Sequence, residues 1–150
     1  MRRLFALALT CGLGCGLGCA PVTFSNEAVI DFERYSVVYV SVGGLDGSAR
    51  QADYLARELR QASGFEEVTL DPSVTVDALL AVALEIDLDR DLLGDDPDQY
   101  SASVQYSLRT PAGDLVDSGG ASSSGSTDAF SAAEDALDEV VHRYLPSYRL

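Results

Sequence analysis

The chain predicts an α+β domain: a mixed sheet of four to five strands with two helices packed on one face, in the order β-α-β-β-β-β-α. Three observations predict it. Several stretches alternate apolar and polar residues with the period of a strand, two others repeat apolar residues with the period of a helix, and clusters of Gly, Pro and Asp separate them. The first two strand-like stretches are joined through a helix, which calls for a right-handed parallel crossover. The later ones have connections short enough for antiparallel pairing.

From Tyr35 to Val42 the run Tyr-Ser-Val-Val-Tyr-Val-Ser-Val is dense in β-branched and aromatic residues, with valines on both faces. It reads as a strand covered on both sides. Gly43-Gly44 ends it. Beyond Asp46-Gly47, Ser48 with Gln51 three residues later forms a capping box. Ala52, Leu55, Ala56, Leu59 and Ala62 then recur at helical spacing until Gly64 closes the helix. Phe65 to Leu70 is a second strand, and Pro72 breaks the chain after it. Val76 to Asp89 gives a third, with Leu80, Val82, Leu84, Ile86 and Leu88 on one face and a second face that turns acidic toward its end. Tyr100 to Arg109 alternates without a fault: Tyr100, Ala102, Val104, Tyr106 and Leu108 inward, Ser101, Ser103, Gln105, Ser107 and Arg109 outward. Pro111-Ala112-Gly113-Asp114 turns the chain into a short strand at Leu115 to Ser118, and Gly119 to Ser126 reads as a Gly/Ser loop. The last helix runs from Asp128 to Leu145 with Phe130, Ala133, Leu137, Val140, Val141 and Tyr144 on its buried face, and Pro146 stops it. No internal repeat is visible.

All 3 cysteines, Cys11, Cys15 and Cys19, sit at the N-terminal end of the chain. A basic start, Arg2-Arg3, an apolar run from Leu4 to Leu9 and a small-residue stretch to Gly18 read together as a secretory signal, residues 1–18. The run is shorter than the roughly twenty residues a membrane-spanning helix needs. Residues 19–27 form a Cys-led tether, small and polar with Pro21 near its start, and 28–150 form a single domain. With no cysteine after Cys19 the domain can hold no internal disulfide, so its core must hold by packing alone.

The charge narrows the function classes. There are 24 acidic residues against 10 basic ones, all of them Arg, for a formal net charge of -14. That density repels phosphate backbones and anionic headgroups, so the sequence predicts no nucleic-acid partner and no adhesion to a membrane by charge.

Catalytic and ligand-binding patterns are incomplete. Gly120 to Thr127 has the spacing of a phosphate-binding loop between a strand and a helix, but Ser126 stands where that motif needs Lys, and the chain contains no Lys. Ala121-Ser122-Ser123-Ser124-Gly125 imitates a nucleophile elbow, yet the one histidine, His142, falls in the last turn of the final helix, a helix-end position. Zinc lacks nitrogen and sulfur ligands, and in so acidic a chain no pair of carboxylates singles itself out for glycoside chemistry. Asp87, Asp89, Asp91, Asp95 and Asp98 occupy positions one, three, five, nine and twelve of a twelve-residue calcium loop, and hard carboxylate oxygens at that spacing are what calcium uses. Against this, Leu92 stands where the loop needs Gly, Asp98 where it needs Glu, and a strand leads in. A solvated acidic strand end with Gly94 and Pro97 as breakers accounts for the same residues. The sequence therefore predicts no enzyme and no cofactor.

Gly18-Cys19 after the basic and apolar stretches resembles the lipidation signal of bacterial lipoproteins, with Leu17 and Gly16 in reversed order for the two preceding positions. The resemblance implies cleavage before Cys19 and a lipid on its thiol. The alternative is an ordinary signal in which Gly16 and Gly18 form the small cleavage pair, releasing a secreted or periplasmic soluble protein. Further on, Asp31-Phe32-Glu33-Arg34-Tyr35 leads into Val37-Val38-Tyr39-Val40, a helix ends in Gly64-Phe65, Asp77-Ala78-Leu79-Leu80 enters a strand, and a hairpin passes through Gly113-Asp114. This layout is similar to small outer-membrane lipoproteins of unknown function, the amino-terminal domain of the Tol-Pal translocation protein, the curli secretion lipoprotein and activator lipoproteins of penicillin-binding proteins. It implies a non-enzymatic binding or assembly component of the cell envelope, anchored through Cys19 on the periplasmic side of the outer membrane, with an envelope protein as partner. Ala20 after the cysteine fits outer-membrane sorting in those lipoproteins. The competing expectation is a soluble, secreted domain that binds calcium or acts as an enzyme through the 87–98 loop.

Overall fold

The computed structural model describes residues 23–24, 29–89 and 98–146. The elements are β1 (Thr23–Phe24), β2 (Val37–Gly43), α1 (Ala49–Ala62), β3 (Glu67–Thr69), β4 (Ala78–Asp89), β5 (Gln99–Arg109), β6 (Leu115–Ser126) and α2 (Ala129–Arg143). The sheet order is β1-β6-β5-β4-β2-β3. β2 runs parallel to both β3 and β4, and the β4-β5, β5-β6 and β6-β1 pairs are antiparallel. The predicted mixed sheet, element order and parallel crossover through α1 are what the chain adopts. The two-residue β1 adds to them within the segment expected to be a tether.

Both helices cover one face. That face is built from the alternate residues of each strand: Val38 and Val40 of β2, Leu80, Val82 and Leu84 of β4, Ala102, Val104, Tyr106 and Leu108 of β5, and Ala121 of β6. Leu55, Ala56 and Leu59 of α1 and Ala133, Leu137, Val140 and Val141 of α2 close over them. Burying a side chain of this size contributes about 1.5 to 3 kcal/mol, so these rows supply the drive to fold. The β5 alternation predicted from Tyr100 to Leu108 is the observed one, with the inward side chains buried or half-buried.

Four expectations about strand cover, helix ends and strand length need correction. β2 is covered on one face only, because both helices choose the same side, and Val37, Tyr39 and Ser41 remain partly exposed on the other. Ser48 is the N-cap of α1, but its side chain makes no capping bond, so there is no capping box. Gly64 does not end α1 through a left-handed turn: Ser63 caps the helix in extended conformation, and Gly64 is required because a Cβ there would lie 2.5 Å from the Phe32 ring. Finally, Gly119 to Ser126 is strand, not loop. β6 continues to Ser126 because pairing with β5 needs backbone groups rather than bulky side chains. At Gly119 bulk is forbidden, since a Cβ would meet the Tyr106 hydroxyl at 2.5 Å.

Candidate functional site

At the C-terminal end of β2, an open groove of about 270 Å³ is lined by Tyr39, Val40, Ser41, Val42, Ser48, Ala49, Ala52, Asp53 and Leu70. Parallel pairing puts it there. β2 runs into the first turn of α1, so the strand end and the helix start form two walls. Asp53, in the second turn of α1, adds the one charged side chain to this lining.

The acidic strand end lies elsewhere, on the uncovered face. Asp87 and Asp89 project from β4 on its exposed side and Asp98 precedes β5, also exposed. Asp91 and Asp95 lie outside the described residues. Among the described residues, no three His, Cys, Asp or Glu side chains gather closely enough to hold a metal. The nearby Asp46 has a different duty: its carboxylate accepts the Ile86 N–H at 2.8 Å and pins the β2-α1 loop to β4.

The serine-histidine combination is separated by the length of a helix. The Ser123 hydroxyl donates to the Ala132 carbonyl at 2.6 Å, near the start of α2. His142 stands ten residues further along α2, about 15 Å at helical rise, exposed and 3.9 Å from Glu139. As expected, it occupies the helix end. The phosphate-loop pattern is likewise dismantled, because Gly120 to Ser126 belong to β6.

The strongest electrostatic feature was not legible in the sequence. Arg143, at the end of α2, makes a bidentate ion pair with Asp117 of β6, Nε to Oδ2 at 3.0 Å and Nη2 to Oδ1 at 2.9 Å, with the Asp117 side chain fully buried. The two residues are 26 positions apart and nothing in their spacing marks them. In the sequence Asp117 stands out only as a member of the short strand at Leu115 to Ser118. Over this pair lie Tyr106 and Tyr144, whose rings meet edge to face at 6.0 Å, and Phe65 and Phe32 continue the stack at 5.3 and 5.2 Å. Both tyrosine hydroxyls are buried without a hydrogen-bond partner. Burial, reinforced by the Asp117 charge, pushes the Tyr106 phenol up to about 12 and raises Tyr144 as well. This cluster fastens the end of α2 to the sheet.

The N-terminal connection is the remaining feature with functional meaning. Thr23 and Phe24 pair antiparallel with Gly120 and Gly119, so the chain joins the outer edge of β6 only four residues after Cys19. Cys19 itself lies outside the described residues. Among the described residues no helix is long and apolar enough to cross a membrane.

No family model and no curated protein matches the chain. Solved structures with a similar layout include a hypothetical protein from Chlamydia trachomatis, 14% identical over 73% of this chain and 95% of that one, with a TM-score of 0.47. A minor lipoprotein from Acinetobacter baumannii is 14% identical over 73% and 88%, with a TM-score of 0.39. The rare lipoprotein B from Shewanella oneidensis is 10% identical over 71% and 84%, with a TM-score of 0.32. Likeness at this level carries no conclusion about family or activity.

Proposed function

We propose that the protein is a cell-envelope lipoprotein, anchored through a lipid on Cys19 to the periplasmic side of the outer membrane, and that it works as a non-enzymatic binding or assembly component with an envelope protein as its partner. The observation that carries this reading is the placement of every cysteine within a basic, apolar and small-residue leader ending in Gly18-Cys19. The resemblance of the element layout to exported lipoproteins supports it. So does the separation of Ser123 from His142, which leaves the serine patterns without a base.

The test is the intact mass of the mature N-terminus isolated from native membranes, with Cys19→Ala as control. A di- or triacylated Cys19 that disappears from the membrane fraction in the variant is the expected result. An unmodified N-terminus in the soluble fraction would sink the reading and favour the secreted alternative.

A further inference from the structure

We propose that β1 sets how the anchored domain stands on the membrane: the β6 edge of the sheet is held at an anionic phospholipid surface and the β3 edge is turned away from it. The inference rests on the lipidation of Cys19 proposed above and adds an orientation to it.

The first argument is one of reach. Thr23 is four residue steps beyond Cys19, and a fully extended chain covers at most about 3.6 Å per step, so the lipidated residue lies within about 14 Å of β1. β1 is not free to swing, since its backbone is paired with Gly119 and Gly120. A tether free as far as residue 28 would reach more than twice as far and would let any side of the domain face the lipid. β3, by contrast, lies at the opposite edge of the sheet, four strand spacings from β6 or about 19 Å.

The second argument is charge. A single point of attachment would still allow the sheet to lie flat on its uncovered face. That face carries Glu85, Asp87 and Asp89 along β4 against Arg109 on β5. Anionic headgroups repel it at close range, where screening by salt is incomplete. Gly119 to Ser126 of β6 has no ionisable side chain of its own, and the carboxylate that reaches it, Asp135 of α2, sits at its far end on the Ser126 hydroxyl at 3.3 Å, so the Gly119-Gly120 end where β1 pairs meets the least repulsion. Attachment at one edge and repulsion across the face together stand the sheet upright. The groove between β2 and α1 and the short edge strand β3 are then presented to the periplasm, where an envelope partner would meet them.

The test uses the full lipidated protein in vesicles of phosphatidylethanolamine and phosphatidylglycerol. Single cysteines are placed at exposed Ser124 on β6 (Ser124→Cys) or exposed Glu67 on β3 (Glu67→Cys) and labelled with a fluorophore, and nitroxide-bearing headgroups serve as quenchers. The label at position 124 is expected to be quenched several-fold more than the label at 67. The difference should shrink when a flexible Gly/Ser linker of about ten residues is inserted after Ala20. Equal quenching in protein that floats with the vesicles would overturn the orientation and leave the lipoprotein reading standing. Protein that carries no lipid by mass and does not float would overturn both.

Discussion

Asp117 and Arg143 form a bidentate ion pair whose carboxylate side is fully buried. Removing one partner strands the other: Arg143→Ala leaves a fully buried carboxylate with its ion pair gone, an expected loss of about 3 to 5 kcal/mol in urea denaturation. Replacing both, as Asp117→Leu with Arg143→Met, removes the desolvation cost together with the attraction and should recover most of that loss. A double variant as unstable as the single one would mean that the polar pair itself is required. The tyrosines over the pair give a second prediction. Phenols ionise near 10 in the unfolded chain, whereas burial raises Tyr106 to about 12 and Tyr144 also upward. Because the folded state holds these protons more tightly, their contribution is fully present below pH 10 and is lost as pH rises through about 12. Titration of tyrosinate absorbance should therefore show part of the 7 tyrosines ionising late in native protein and none late in urea. Tyr54 belongs to the late group. Burial and its 2.7 Å hydrogen bond to Asp138 raise it too.

Among the elements, the two helices begin differently in spite of similar signals. Asp128 caps α2, accepting from the N–H groups of Phe130 and Ser131 and from the Ser131 hydroxyl, and these bonds hold its carboxyl below the usual range. A depressed carboxyl contributes stability that is present above its unfolded pKa and lost as pH falls through the folded one. Asp128→Ala should therefore lower the melting temperature at neutral pH and flatten the acid limb of the stability profile. Ser48→Ala should change neither, because Ser48 makes no capping bond. Strands with strict alternation were legible in the sequence because burial on one face imposes a period of two; β4 and β5 lie nearly residue for residue where that period puts them. β6 was not legible beyond Ser118, since Gly and Ser carry no alternation and only pairing with β5 makes them a strand. Phe130 misled in the opposite direction. It is 48% exposed, and its ring is covered by the Arg50 guanidinium at 3.9 Å rather than by the core. A cation over an exposed ring contributes about 0.5 to 1 kcal/mol and leaves no trace in helical periodicity.

For the molecule as a whole, the core is continuous from β3 to β6 under both helices, while β1 adds two backbone pairs at the edge. Removal of residues 1–28 should thus leave cooperative unfolding intact, with a midpoint close to that of the mature chain by circular dichroism. A broad transition in the truncated protein would assign β1 a larger structural role. The candidate sites were legible to a smaller extent than the fold. Asp87, Asp89 and Asp98 emerge on the surface as expected of an acidic strand end, whereas the groove beside α1 arises from parallel pairing between distant segments, which no local spacing announces.

The parallel placement of β2 also has a consequence in time. β2 precedes its neighbours in the chain, and although α1 follows it directly, Val38 finds its backbone partners only when Val68 of β3 and Ala78 of β4 have been made. The β4-β5-β6 meander can zip through short turns as soon as it exists. Synthesis from the N-terminus therefore releases the uncharged, valine-rich strand well before the strands that pair its two edges, and an unpaired strand of that composition is the kind that sticks to others of its kind. Until β4 arrives, the growing chain depends on dilution or on a holding protein to keep that strand solitary.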